Sequence, residues 1–320
     1  MKKILKFITV ICLSFLLILI IVNPKPYISG ALEGLKLWAL VVLPALLPFF
    51  FFTTLLSKLG LTDFLSKIFK KPCKVLFRSG GNASYAFIMS LLSGYPVGAK
   101  VVSDLKTNRL IGKDEATRLA CLCSTSGPLF IIGSVGVGMF NDNRIGICIL
   151  LAHVLSAFSC GIIFRFYGKS DHTDKEFLRQ KTCGNLLYDC VYSSVISVLI
   201  VGGFICVFNV IISAINTTNL LLPIDFIFEN FTDVKLLNSF LYGLIECTTG
   251  CKMLSKCVLS TYSVAFASSL ISIGGLSVWV QSIAFLSSAK VNVKIFCFSK
   301  ITQGILSFIF SLLLFPLFRF

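Results

Sequence analysis

The chain reads as an all-α polytopic membrane protein built from two inverted repeats, each with a re-entrant segment and a broken helix. Three observations predict this. The 320 residues are 56% hydrophobic and only 13% charged, with a mean hydropathy of +0.91. That is too little charge for the surface of a soluble domain. Apolar stretches near the ~20 residues that cross about 30 Å of hydrocarbon recur along the whole length. Two of these stretches carry helix breakers and polar groups, Ser93 to Lys100 and Gly243 to Gly250. Backbone freed at membrane depth is tolerated only where protein buries it or where it lines a wet cavity. Interruptions at corresponding places in two halves are the pattern of a solute-translocating fold.

The elements follow in order. Residues 4–22 form an apolar run behind Lys2, Lys3 and Lys6. The run is long for the core of a cleaved signal peptide, so an uncleaved first span is expected, within an anchor covering 1–30. Residues 31–57 span next. Residues 62–78 set apolar positions at helical spacing against Lys67, Lys70 and Lys71; they read either as an interfacial helix on an anionic leaflet or as an ordinary connector. Segment 83–102 re-enters, 118–140 is a broken span, and 145–166 spans fully. The polar loop 168–186, with a solvated His172, connects the halves. Residues 187–215 span, 236–254 re-enter, 258–288 span with a break, and 294–318 span last. The repeats therefore occupy 31–167 and 187–320.

Charge fixes the orientation. Basic residues cluster on the cytoplasmic side of membrane proteins. Lys2, Lys3 and Lys6 place the N-terminus inside, and two crossings return Lys58, Lys67, Lys70, Lys71, Lys74 and Arg78 to that side. If 83–102 is a hairpin, Lys106, Arg109, Lys113 and Arg118 stay inside, and Arg165, Lys169, Lys175, Arg179 and Lys181 follow after two more crossings. A full crossing at 83–102 would put that last cluster outside. The loop 216–234 holds Asp225, Glu229 and Asp233 without Lys or Arg, which suits the outside; Lys252 and Lys256 are a mild exception. The net charge of +15 is thus a topology signal rather than a nucleic-acid footprint. It also implies contact with membrane lipids.

Candidate solute-binding residues lie at the interruptions. In Ser93-Gly94-Tyr95-Pro96-Val97-Gly98-Ala99-Lys100, Pro96 removes a donor and biases Tyr95 away from helix, while Gly94 and Gly98 permit close approach. The half-helix that follows would aim free N–H groups and the positive end of its dipole at a ligand, with Lys100 one turn on. The bland alternative is a proline kink with a snorkelling lysine. Ser124, Thr125, Ser126 and Gly127, followed by Pro128, break the next span in the same way; small-residue packing would use the same residues, and Gly133, Gly136 and Gly138 are assigned to that packing. In the second half, Glu246 stands out, because a carboxylate at a helix centre costs about 2.5–3.5 kcal/mol to insert. It could hold a coupling ion, carry a proton, meet a substrate ammonium, or pair structurally with Lys252. Thr248, Thr249 and Gly250 add hydroxyls and a break, and Ser272 and Gly274, beside Gly275, interrupt the following span. Asp189 is expected at the interface.

Enzyme signals are poor. Gly168-Lys169-Ser170 has Ile163 where a phosphate loop needs its first glycine. His153 sits in an apolar run, and neither a nucleophile–base pair nor a zinc-protease helix motif is present. The 13 cysteines lie mostly in apolar segments and act as small apolar residues. The pairs Cys121/Cys123 and Cys247/Cys251 lack histidines to complete a metal site. No enzyme activity, cofactor or metal is expected.

The stretch Gly34-Leu35-Lys36-Leu37-Trp38 with Leu43-Pro44-Ala45-Leu46-Leu47-Pro48-Phe49 resembles the opening of the sporulation integral membrane protein YlbJ family. Ser90 to Lys100 resembles that family's most distinctive motif. Cys123 to Pro128 with Phe130, Ile131 and Gly133 is similar to its next one, and Gly243-Leu244-Ile245-Glu246 with Gly250 to a later one. The resemblance covers about 31–318. It places the chain among the nucleoside-recognition, or Gate, membrane domains, which are related to concentrative nucleoside transporters and to the membrane part of bacterial ferrous iron transporters. What it implies is a multi-pass protein of the membrane around the forespore that moves dipicolinic acid from mother cell toward forespore. Half-helix N-termini, hydroxyls, Lys100 and the Tyr95 ring suit a planar dianion; Glu246 suits it less. Three functions stay open at this point: a carrier or channel for a small anion or other polar solute, a non-transporting organiser that binds spore-membrane proteins, and a nucleoside or ion transporter on the same scaffold. A homo-oligomer is compatible with each.

Overall fold

A computed structural model describes residues 2–80, 82–168, 185–221 and 233–318, the side chains of residues 2–6 and of Thr62 excepted. All regular structure among the described residues is helical. Residues 169–184, which contain His172 and most of the connector, and residues 222–232, which contain Asp225 and Glu229, lie outside the described residues.

Helix α1 (Lys2–Val22) ends at Asn23, and α2 (Pro24–Leu37) starts with Pro24 in the first turn, where a missing N–H costs nothing. Next comes a π-helical turn, Trp38–Val42, that leads into α3 (Leu43–Lys58) without a break in the rod. The wide turn has a local cause. Pro44 cannot donate to the carbonyl one turn back and its ring would collide with it, so the backbone opens to an i→i−5 bond, Leu43 N–H to Trp38 O. Helix α4 (Leu61–Phe77) is amphipathic. It buries Cys73 and Phe77 and leaves Phe64, Ile68 and Val75 exposed among its lysines, as a helix lying in the membrane interface would. Burial pushes the Cys73 thiol up to about 11.

The first half continues with α5 (Asn82–Ser93), α6 (Val97–Thr107), α7 (Lys113–Leu122), a π-helical piece Phe130–Val137, and α8 (Asn143–Phe164). The second half has α9 (Leu186–Thr217), α10 (Val234–Ile245), α11 (Cys247–Leu254), α12 (Thr261–Ile273), α13 (Gly275–Ser288) and α14 (Val293–Leu314), with a final 3-10 turn Phe315–Phe318. Apart from α4, which lies between α3 and α5, the described helices of both halves run in one order: a long span, a helical hairpin, a helix broken near its middle, and a second long span. Five helical stretches among the described residues are long and apolar enough to cross a membrane: Pro24–Lys58, Asn143–Phe164, Leu186–Thr217, Thr261–Ser288 and Val293–Phe318.

Caps mark where the chain turns at the surface. Asp142 starts α8 by accepting from Arg144 N at 2.8 Å, and Asn185 and Asp233 do the same for α9 and α10. A side-chain hydrogen bond from Arg144 holds the Asp142 carboxyl below its ordinary value. The cap's contribution is therefore present above the ordinary carboxylate range and fades as pH falls through the lowered value. Ser260 and Ser263 close a capping box on α12.

Two packing units result. The rod α2–α3 lies along α9, where Gly30 and Gly34 admit Ser213 and Asn209, and Gly202 admits the Trp38 ring. Trp38 Nε1 donates to Val198 O at 3.0 Å. Helices α8, α12 and α14 pack on one another in the other unit, with Ser268 and Ser307 hydroxyls 2.7 Å apart between α12 and α14. Gly136 and Gly146 touch backbone to backbone, so Gly136 does serve packing. Large apolar side chains such as Leu40, Leu151, Val207, Phe298 and Leu313 are exposed, as a lipid-facing surface requires. Lys58 and Asp189 meet at 3.5 Å where α3 ends and α9 begins.

Candidate functional site

Each hairpin tip sits on the broken helix of its own half. In the first half the chain leaves α5 through Gly94, at φ +68°, and a cis Tyr95–Pro96 bond. A Cβ on Gly94 would lie 2.3 Å from Gly127 N, and one on Gly98 would lie 1.9 Å from Cys123 O. Ser90 Oγ donates to Cys123 O at 2.5 Å, and Thr125 Oγ1 donates to Ser90 O at 2.9 Å. The hairpin therefore grips the non-helical Cys123–Gly127 segment. In the second half the break in the hairpin is a single residue, Glu246, with an extended backbone. Gly250 packs on Gly243. A Cβ on Gly275 would lie 2.8 Å from Gly243 O, so this tip rests against the Gly274–Gly275 break, where Gly274 has φ +87°.

The halves then cross. Tyr95 Oη donates to Ser272 O at 3.3 Å. His153, fully buried on α8, accepts from Ser126 N at Nε2 (3.0 Å) and lies 2.8 Å from Ser272 Oγ through Nδ1. An acceptor Nε2 is unprotonated, so Nδ1–H donates to the serine, and one neutral imidazole ties the break of one half to the break of the other. Lys300, fully buried on α14, donates to Tyr95 Oη, Ser124 O and Gln303 Oε1.

Between these parts lies a cavity of about 60 Å³. Ser93, Tyr95, Ser126, Gly127 and Phe130 line it from the first half, and Glu246, Cys247, Thr248, Ser277 and Gln281 from the second. Leu46, Phe50, Val201 and Ile205 close the side toward the rod and α9. Glu246 is 1% exposed and is spoken for: Oε1 accepts from Thr248 N at 3.1 Å and Oε2 from Thr249 N at 2.6 Å. It is the N-cap of α11 rather than a partner of Lys252.

Of the residues singled out in the sequence, Ser93, Tyr95, Ser126, Gly127, Glu246 and Thr248 line the cavity. Gly94, Gly98, Gly250 and Gly274 shape the tips and breaks behind it. Pro96 caps α6, Thr125 is engaged by Ser90, Ser272 by His153, and Ser124 offers its carbonyl to Lys300. Thr249 faces α9, accepting from Asn209 Nδ2 at 2.9 Å. Lys100 is a correction. It is exposed on α6, because Gly98 and Ala99 take the inward face, and it does not reach the cavity. Sequence reasoning missed Ser277, Gln281, Gln303, Lys300 and the partners of His153. Lys300 alone had a signal, a charge in the middle of an apolar span.

Comparison with known proteins gives three findings. A family model described as nucleoside recognition, Gate, matches residues 39–169. The sporulation integral membrane protein YlbJ of Bacillus subtilis (strain 168) is 31% identical over 342 residues, covering 96% of this chain and 82% of that protein. Among solved structures, a doubly substituted CNTnw in an outward-facing state superposes with TM-score 0.59 at 14% identity, over 88% of this chain and 76% of the other. A singly substituted CNTnw in an intermediate state gives 0.54 at 14% identity over 99% and 86%. At that identity the likeness is one of fold.

Proposed function

The chain belongs to the family of the sporulation integral membrane protein YlbJ, and from that premise we propose that it is a transporter carrying a small polar solute across a membrane during endospore formation. One observation carries the reading: two hairpin tips and two helix breaks, four interruptions of helical backbone, converge on one pocket whose largely apolar wall carries Ser93, Tyr95, Ser126, Glu246, Thr248, Ser277 and Gln281. A protein that only organised partners would have no use for such backbone inside the bilayer. The halves 31–167 and 187–320 act in this reading as inverted repeats, with the cavity between them and the N-terminus in the cytoplasm of the mother cell.

The solute we propose is dipicolinic acid. Serine hydroxyls at 93, 126 and 277 and the Gln281 amide line the cavity, beside the Tyr95 ring. Behind Tyr95 stands the Lys300 ammonium, which favours an anion over a cation in the cavity. Glu246 opposes it only weakly, because its charge is spent on the N-terminus of α11. A cavity of about 60 Å³ holds about two waters. Solute entry must therefore widen it, and the hairpin tips, broken at Gly94 to Pro96 in the first half and at Glu246 in the second, are the parts that can move.

Purified protein in liposomes should accumulate labelled dipicolinate at rates at least about tenfold above empty vesicles, with phthalate and uridine taken up more slowly. Uptake of uridine alone would make the protein a nucleoside carrier. No uptake of any of the three would remove the transport reading.

A further inference from the structure

We infer that three oxygens where the two halves cross form a monovalent-cation cradle that the Lys300 ammonium fills from within, so that the transport cycle needs no metal cation from solution. The inference about transport rests on the reading above; the cradle itself rests on geometry.

Lys300 is fully buried in the middle of α14. Its Nζ lies 2.6 Å from Tyr95 Oη, 2.7 Å from Ser124 O and 2.6 Å from Gln303 Oε1. An ammonium has three N–H donors and no acceptor, and all three are used. Ser124 O and Gln303 Oε1 can only accept. Tyr95 Oη spends its own proton on Ser272 O, so it too accepts from Lys300. A neutral amine could donate to Ser124 O and Gln303 Oε1 and accept the Tyr95 O–H, but Ser272 O would then lose the proton that Tyr95 gives it. The oxygen set thus fits a positive ion, and the Tyr95 ring, 5.0 Å from Nζ, adds its negative face.

No carboxylate balances this charge among the described residues. The titratable groups facing Lys300 are Tyr95 from the hairpin tip, Cys121 from α7, His153 and Cys160 from α8, and Cys247 from α11. A cation held by carbonyl, hydroxyl and amide oxygens alone is how proteins replace the hydration shell of a monovalent ion. The three oxygens come from the tip of the first hairpin, from the break in the first half, and from the last span of the second half. One cation therefore pins three separate elements. A free ion in that place would have to be supplied and released in each cycle; the Lys300 side chain stays tethered to α14.

The test uses the full protein in proteoliposomes and in detergent. Wild-type uptake of dipicolinate should be the same within about twofold in choline, sodium or potassium chloride. Lys300→Ala should lose at least about tenfold in choline chloride and regain uptake in ammonium or ethylammonium chloride, which supply the missing cation. In detergent, the thermal midpoint of Lys300→Ala should rise with ammonium or ethylammonium and not with choline, while the wild type responds to none. Lys300→Met, similar in length and uncharged, should be inactive and unresponsive to every cation. The cradle is refuted by an alanine variant whose midpoint ignores both ammonium ions, or by a methionine variant that transports as well as wild type. Sodium-dependent uptake by the wild type refutes the claim about the cycle. Failure of wild-type uptake would sink the transport reading and leave the midpoint measurement to judge the cradle.

Discussion

Replacing Gly94 with valine is expected to abolish transport and to lower the thermal midpoint by roughly 10 °C, the consequence of about 3 kcal/mol lost at one position. Two effects add. Gly94 has φ +68°, a conformation that β-branched residues resist. The new Cβ would also stand 2.3 Å from Gly127 N and 2.9 Å from Gly127 Cα. Both are backbone atoms of the facing break, so no side chain can swing aside. Valine would lift the hairpin tip off the broken helix and open the cavity between them. Gly203→Val is the control, since a Cβ there meets nothing within 4 Å. It should leave midpoint and uptake unchanged. Equal behaviour of the two variants in a thermal-shift assay would show that tip and break do not depend on this contact.

The second large effect falls on Glu246. Its two oxygens satisfy the N–H groups of Thr248 and Thr249 at the start of α11. Glu246→Leu would leave both donors buried without partners, at about 1–3 kcal/mol each. Uptake should fall more than tenfold, by roughly the factor those energies imply. Glu246→Gln keeps one acceptor oxygen and should retain an intermediate rate. This ordering separates two roles. A carboxylate that only caps the half-helix is partly replaced by glutamine; one whose charge takes part in each cycle is not. A glutamine variant as inactive as the leucine variant, with a normal midpoint, would show that the charge itself is used.

The spans were legible because hydropathy reports burial in lipid directly. The breaks were legible because Pro96, Gly94, Gly127 and Gly274 act through local backbone geometry, which sequence carries. The interruption near Gly274 follows from the same local rules. What sequence did not carry was direction and partnership. Lys100 sits in the right motif, yet points outward because Gly98 and Ala99 occupy the packed face. His153 looked idle because its partners, Ser126 and Ser272, lie 27 and 119 positions away. Lys300 passed as one basic residue among many until its oxygens, 176 and 205 positions distant for Ser124 and Tyr95, closed around it. The widened turn at Trp38–Val42 follows from Pro44, but only once the helix is known to run on through it.

The most direct measurement is equilibrium binding of dipicolinate to purified wild type, Ser277→Phe and Lys100→Ala. Ser277 is buried and lines the cavity, and a phenyl ring there would fill a space of about 60 Å³. The account predicts saturable binding by the wild type, unchanged binding by Lys100→Ala, and a loss of at least about tenfold for Ser277→Phe. Wild-type affinity in the Ser277→Phe protein, with binding lost instead in Lys100→Ala, would contradict it.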